Sequence, residues 1–227
     1  MDRLFATLDI YCERTEAGLW AEPVNALTNL LILGGGFFGL AQVRSRQAGI
    51  YAEILCWWVV AIGLGSFLFH TTAIELTKWA DIIPIATFTL AMAIFCLRRF
   101  AGLSAPKTVV YFVSYFAVIS VVTWLIPAWV SEATNGTIAY LPALAGYAFF
   151  GVVALLHGSP AGWYCIACAV ILFAGFVFRA IDQDICQAFP LGTHFMWHVL
   201  IALMLSVNLM AVAKYGAPRR PAAGDRR

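Results

Sequence analysis

Charge is what this sequence has least of. Asp, Glu, Lys and Arg make up only 11% of its 227 residues, while 62% are hydrophobic and the mean hydropathy is +0.84. A soluble domain carries roughly 25% charged residues to cover its surface, so a water-soluble globule is excluded and a bilayer has to be the solvent. Walker loops, dinucleotide fingerprints and internal repeats are also missing, which removes nucleotide-driven enzymes and solenoids. Nothing in the chain points to nucleic acid. Residues 1–24 contain no basic stretch followed by an apolar one, so no cleavable signal peptide is expected and the first helix serves as its own signal. Histidine occurs only four times, which makes each position informative.

Long apolar runs are abundant. They predict helices near 25–43, 52–71, 81–97, 108–127, 139–156, 162–179 and 193–214. Each approaches the roughly 20 residues a helical crossing needs. The runs are continuously apolar, without the period-two alternation of barrel strands, so the expected fold is all-α: a polytopic bundle of seven transmembrane helices. Ten of the fourteen basic residues, among them Arg44, Arg46, Arg98, Arg99, Lys107 and Lys214, fall on one side of that threading. Basic residues collect on the cytoplasmic side, which predicts an outer N-terminus and a cytoplasmic C-terminus. Residues 1–214 then form a single domain, with 1–24 as an outer acidic segment and 215–227 as a disordered basic tail.

Glycines Gly34–Gly36 in the first helix read as close helix packing rather than a phosphate site. Cys56, Cys96, Cys165 and Cys168 fall inside helices and read as buried thiols. Cys12 and Cys186 lie on outer polar segments, in a compartment that permits disulfides; position alone leaves a bridge and two free thiols equally open.

Ionisable groups in or beside membrane helices are costly and usually functional. His194 and His198, in the run THFMWHVL, are four residues apart and project from one helix face about 6 Å apart along the axis. Two unrelated histidines would show the same spacing. His70 closes the second helix on the outer side, where the seventh helix begins, so three histidines converge on one membrane level. Asp81 is at that level too, read as opening the third helix after a ten-residue link. His157 lies in an inner loop, away from the others. Three neutral imidazoles with an open fourth position describe a catalytic zinc site, at which bound water is acidified towards ~7. Asp81 suits the base that takes its proton. Ser66, one turn before His70, is placed to donate to an oxyanion, although on spacing alone it reads as readily as a packing serine bonded to its own backbone.

The set Ser66, His70, Asp81, His194 and His198 resembles the alkaline ceramidase family. That family sits in a wider group of seven-helix membrane hydrolases and receptors that includes the adiponectin and progestin receptors. The likeness runs from about Asp9 to His198 and includes Cys12-Glu13, WAEPVNALTN, and FRAIDQDIC with Asp182 and Cys186. The resemblance implies zinc on the three histidines, Asp81 activating water, Ser66 stabilising the oxyanion, and a Cys12–Cys186 disulfide. It also implies calcium on the acidic N-terminal segment, where Asp9, Glu13 and Glu22 offer oxygens of the right kind; a solvated acidic face is the alternative. The function it implies is hydrolysis of the N-acyl amide of a ceramide-like membrane lipid to a sphingoid base and a fatty acid. Two alternatives stay open: the same chemistry on another acyl lipid, an ester or a non-sphingoid amide, and a receptor-like protein with structural zinc. Short loops and the basic tail suggest a bacterial inner membrane with the site near the periplasmic face.

Overall fold

A backbone inside hydrocarbon must satisfy its own hydrogen bonds, which continuous helices do within one segment. The structure, a computed structural model, describes residues 2–16 and 18–217; the arginine-bearing part of the expected disordered tail lies outside the described residues. The helices are α1 (Pro23–Ser45), α2 (Ile50–Thr72), α3 (Glu75–Phe95), α4 (Ala105–Leu125), α5 (Ala128–Ala133), α6 (Leu141–Leu156), α7 (Ala161–Ala180) and α8 (His194–Tyr215). All but the short α5 give helical segments long and apolar enough to cross a membrane, α6 together with the 3-10 turn Thr137–Tyr140 before it, which makes the seven expected spans. No strand occurs among the described residues; one isolated bridge joins Thr7 to Ile74.

Small residues set the packing. α1 lies between α2 and α8. A Cβ on Gly35 would come within 2.8 Å of the Ser206 hydroxyl, and one on Gly36 within 2.7 Å of a Val60 methyl. Such close approaches are what hold membrane helices together when lipid is as apolar as the helices themselves. α3 packs on α2, α7 on α8, and α6 on α7. α4 presents Val109, Val110, Val113, Val118 and Val121 outward, as a helix facing lipid should. The four thiols Cys56, Cys96, Cys165 and Cys168 are buried and free, as expected.

One boundary differs in a way that matters for function. α3 begins at Glu75, so the link from α2 is two residues long and Asp81 lies well inside the helix rather than at its start. Glu75 and Lys78 interrupt the apolar pattern, yet they pair with each other at 2.5 Å on the first turn, the i,i+3 spacing that stabilises a helix surface. The tight link is possible because Ala73 adopts φ +40° as the C-cap of α2. The N-terminal segment staples it: Leu8 N donates to Ala73 O at 2.8 Å, and Glu75 N donates to Ala6 O at 3.1 Å.

Candidate metal centre and active site

The last turn of α2 and the first turn of α8 meet at one end of the bundle. His70, His194 and His198 are 1%, 2% and 1% exposed, and one ligating nitrogen from each lies within 4.8 Å of the others. Three imidazoles this close, shut away from water, are a donor set suited to a borderline-soft divalent cation such as zinc. The surroundings fit that ion. Nδ1 of His70 contacts the Glu22 carboxylate at 2.6 Å, and Nδ1 of His198 contacts the Thr28 hydroxyl at 3.0 Å. Each contact engages one ring nitrogen and leaves the other for the centre, the usual way a protein orients metal-binding histidines. Nδ1 of His194 is buried with no hydrogen-bond partner, an orphan that a bound cation would explain.

The position of α8 is fixed from outside the helix. Asp182 is fully buried; one of its oxygens accepts from Thr193 N at 2.7 Å and His194 N at 2.9 Å, the other from Cys12 N at 3.0 Å. A carboxylate at a helix start satisfies orphan N–H groups and opposes the helix dipole. Cys12 and Cys186 form a disulfide, which ties the N-terminal segment to the loop before α8. The strap presses Tyr11 onto the site, where its ring stacks on His194 at 3.6 Å between centroids. Burial pushes the Tyr11 phenol well above its usual pKa, so it stays protonated. Gly192 is required at this junction: its φ is +66°, and a Cβ would lie 2.6 Å from that of Cys12 and against the Asp182 carboxylate.

Asp81 and Ser66 line the same cavity as His194 and His198. Oδ1 of Asp81 is buried without a hydrogen-bond partner. What brings Asp81 there is Gly65, where a Cβ would collide with the carbonyl of Ala80 and stand 3.3 Å from the Asp81 Cα. Gly65→Ala is therefore expected to push α3 away from α2 and cut turnover about ten-fold or more, with metal content unchanged. Equal turnover in that variant would show that the approach of α3 does not position Asp81.

The calcium expectation for Asp9, Glu13 and Glu22 finds no support among the described residues. Asp9 is exposed. Glu13 accepts from Val24 N at 2.6 Å and Asn25 N at 2.8 Å, which caps α1; burial raises its pKa against the pull of those two bonds. Glu22 is fully buried and pairs with Arg14 Nε at 2.7 Å while holding His70. Burial acts to raise the Glu22 pKa, but His70 and Arg14 outweigh it and hold the carboxyl below its usual range. Arg14 thus supplies next to Glu22 the positive charge that a calcium ion would have brought. Activity in calcium-free buffer is expected to be unchanged by millimolar calcium; a several-fold activation would contradict this reading.

An internal cavity of about 50 Å³ runs from the histidines past Phe88 and Ile201 to Met204. Beside it, a side pocket of about 420 Å³ opens between α3 and the start of α6; Ile85, Thr89, Tyr140 and Ala143 wall both. The side pocket is within the size range of small-molecule sites, and its apolar lining suits a lipid chain. Residues 6–219 match the family described as Ceramidase. The chain belongs to the ceramidase family. The matched span contains the three histidines, Asp81, Ser66 and both bridged cysteines, as the resemblance implied. Ceramidases are hydrolases of an amide C–N bond, and this chain is a hydrolase of that class. No individual curated protein matches it significantly.

Beyond the residues legible in the sequence, this ceramidase-family site includes Thr28, Tyr11 and Glu22 in its role towards His70. The stretch WAEPVNALTN carried the likeness without showing what Glu22 and Thr28 touch. Tyr11 precedes a bridged cysteine, and that neighbourhood was its only sequence signal.

Proposed function

We propose that the protein is a zinc-dependent amidohydrolase that cleaves the N-acyl amide of a ceramide-like lipid to a sphingoid base and a free fatty acid. The observation that carries this reading is the trio of buried imidazoles sharing an apolar cavity with the Asp81 carboxylate, one oxygen of which has no partner. His70, His194 and His198 would hold the ion, which when bound supplies Lewis acidity towards the amide carbonyl and towards water. Asp81 takes a proton from the attacking water and returns it to the amine as the C–N bond breaks. Ser66 donates a hydrogen bond to the carbonyl oxygen as negative charge builds there. Glu22 and Thr28 keep the rings oriented throughout.

The lipid's chains would lie in the side pocket, entering from the bilayer between α3 and α6, with the amide reaching the histidines at the small internal cavity. The histidine end would face the outer side, in a bacterial inner membrane the periplasm. Two observations support that orientation: the basic residues gather at the opposite end, and the disulfide lies at the histidine end. The test is fatty acid release by purified protein from a panel holding ceramide, a lipid ester and non-sphingoid N-acyl amides. Release from ceramide that a zinc chelator abolishes and zinc restores is expected. Release from esters alone would replace the amidase reading, and no release from any member would overturn it.

A further inference from the structure

Two guanidiniums are buried beside the site among the described residues: Arg14, which is paired with Glu22, and Arg179, near the end of α7 that meets the histidines. Arg179 is 9% exposed. Its Nη1 donates to Asn135 O at 2.7 Å and Thr137 Oγ1 at 2.9 Å, and its Nη2 reaches the Tyr11 hydroxyl at 3.4 Å. Its Nε–H is buried with no acceptor. No carboxylate among the described residues pairs with it; the ion pairs present engage Arg14, Arg44, His70 and Lys78. Around it stand three rings, Tyr140, Tyr11 and Trp197, with centroids 5.3, 5.9 and 6.0 Å from the guanidinium carbon. Aromatic faces offset part of such a charge without neutralising it. Asp81 acts on Arg179 through space without touching it, and a buried guanidinium with no carboxylate in contact is costly in a low-dielectric surround. If it only tied the 135–137 turn to α7, neutral donors would serve at lower cost.

Its location says what the charge is for. Arg179 lines the side pocket, whose wall residue Tyr140 also lines the cavity holding Asp81 and the histidines. Tyr11, which it contacts, stacks on His194. A group meeting Arg179 is therefore close to the reacting amide, at the level of the histidines and away from the Met204 end of the internal cavity. We propose that Arg179 makes the side pocket an oxyanion subsite, so that the preferred substrate is an N-acyl lipid whose amine half carries an acidic group near the amide. The guanidinium's planar fork suits a carboxylate, phosphate or sulfonate. This rests on the amidohydrolase reading of the same site. The second source of that chemistry is the carboxylate of the released fatty acid.

The test compares N-oleoylglycine with the neutral N-oleoylglycinamide as substrates, and oleate with oleyl alcohol as inhibitors, in wild type, Arg179→Met and Arg179→Lys. Wild type should favour the acid in kcat/KM by about ten-fold, mainly through KM, and Arg179→Met should erase the preference. If Arg179→Met instead leaves the substrate preference alone and weakens oleate about ten-fold relative to the alcohol, the subsite stands and its anion is the product. If neither ratio moves in the folded Met variant, the proposal is overturned. Should Arg179→Met not fold, Arg179→Lys decides, since it keeps the charge and loses the fork: about a three-fold loss in one ratio is expected, and none overturns the idea. Calorimetric binding of oleate against oleyl alcohol to the same proteins reads Arg179 without turnover. A chain that hydrolyses no acyl lipid would thus fail as an amidohydrolase while its anion subsite is still measured.

Discussion

Replacing Asp81 with asparagine is expected to lower kcat by about 10³-fold, the range seen when a positioned general base is lost, while the purified variant keeps its full complement of zinc. The residue is buried in the cavity wall with one oxygen unpartnered, and it is not among the three side chains whose ligating atoms cluster. Asparagine preserves size and hydrogen bonding but cannot accept a proton from water. Turnover and metal content measured on one preparation separate the outcomes. Loss of zinc together with activity would make Asp81 a ligand; retention of both would remove it from the mechanism. The variant also addresses the receptor-like alternative, because a protein that merely keeps structural zinc has no turnover for Asp81 to lose.

The second large effect is expected at Asp182, which touches neither substrate nor metal. Its carboxylate collects three backbone N–H groups, from Cys12, Thr193 and His194, in a fully buried position. Hydrogen bonds to a charged acceptor contribute about 1.5–3 kcal/mol each, and the donors left behind in Asp182→Ala would be desolvated and unpaired. A loss of about 4 kcal/mol in stability is therefore expected, read as earlier thermal unfolding in detergent. Zinc occupancy should fall with it, because His194 is placed by its own N–H. Asp182→Asn, which can accept from some of those donors, should recover part of both. Unchanged unfolding and unchanged zinc in the alanine variant would mean that the disulfide alone holds the junction.

Asp81 and Asp182 mark the two kinds of information the sequence carried. The histidines and Asp81 were legible because hydrocarbon makes polar side chains rare, so the few that occur inside spans stand out. The seven spans were legible for the same reason. The start of α3 was not, because Glu75 and Lys78 look like the end of an apolar run until their pairing on one helix face is seen. Glu22 was legible as an important acid but not as the partner of His70 and Arg14, since those contacts join residues 48 and 8 positions apart. Tyr11 and Arg179 had no periodicity to reveal them. Both owe their places to closure of the N-terminal strap and the 135–137 turn over the helix ends, a tertiary event with no local signature. The short α5 was hidden likewise: it follows Pro127 and buries none of its residues.

On the proposed reading His70, His194 and His198 hold one catalytic zinc ion. Zinc content per chain, measured by mass spectrometry of the purified protein and of His198→Ala, tests it most directly. The expected result is about one zinc per chain in the wild type, the stoichiometry of a single catalytic site, with most of that metal and all fatty acid release lost in the variant. Full zinc content in His198→Ala, or wild-type protein that is active without zinc, would contradict it.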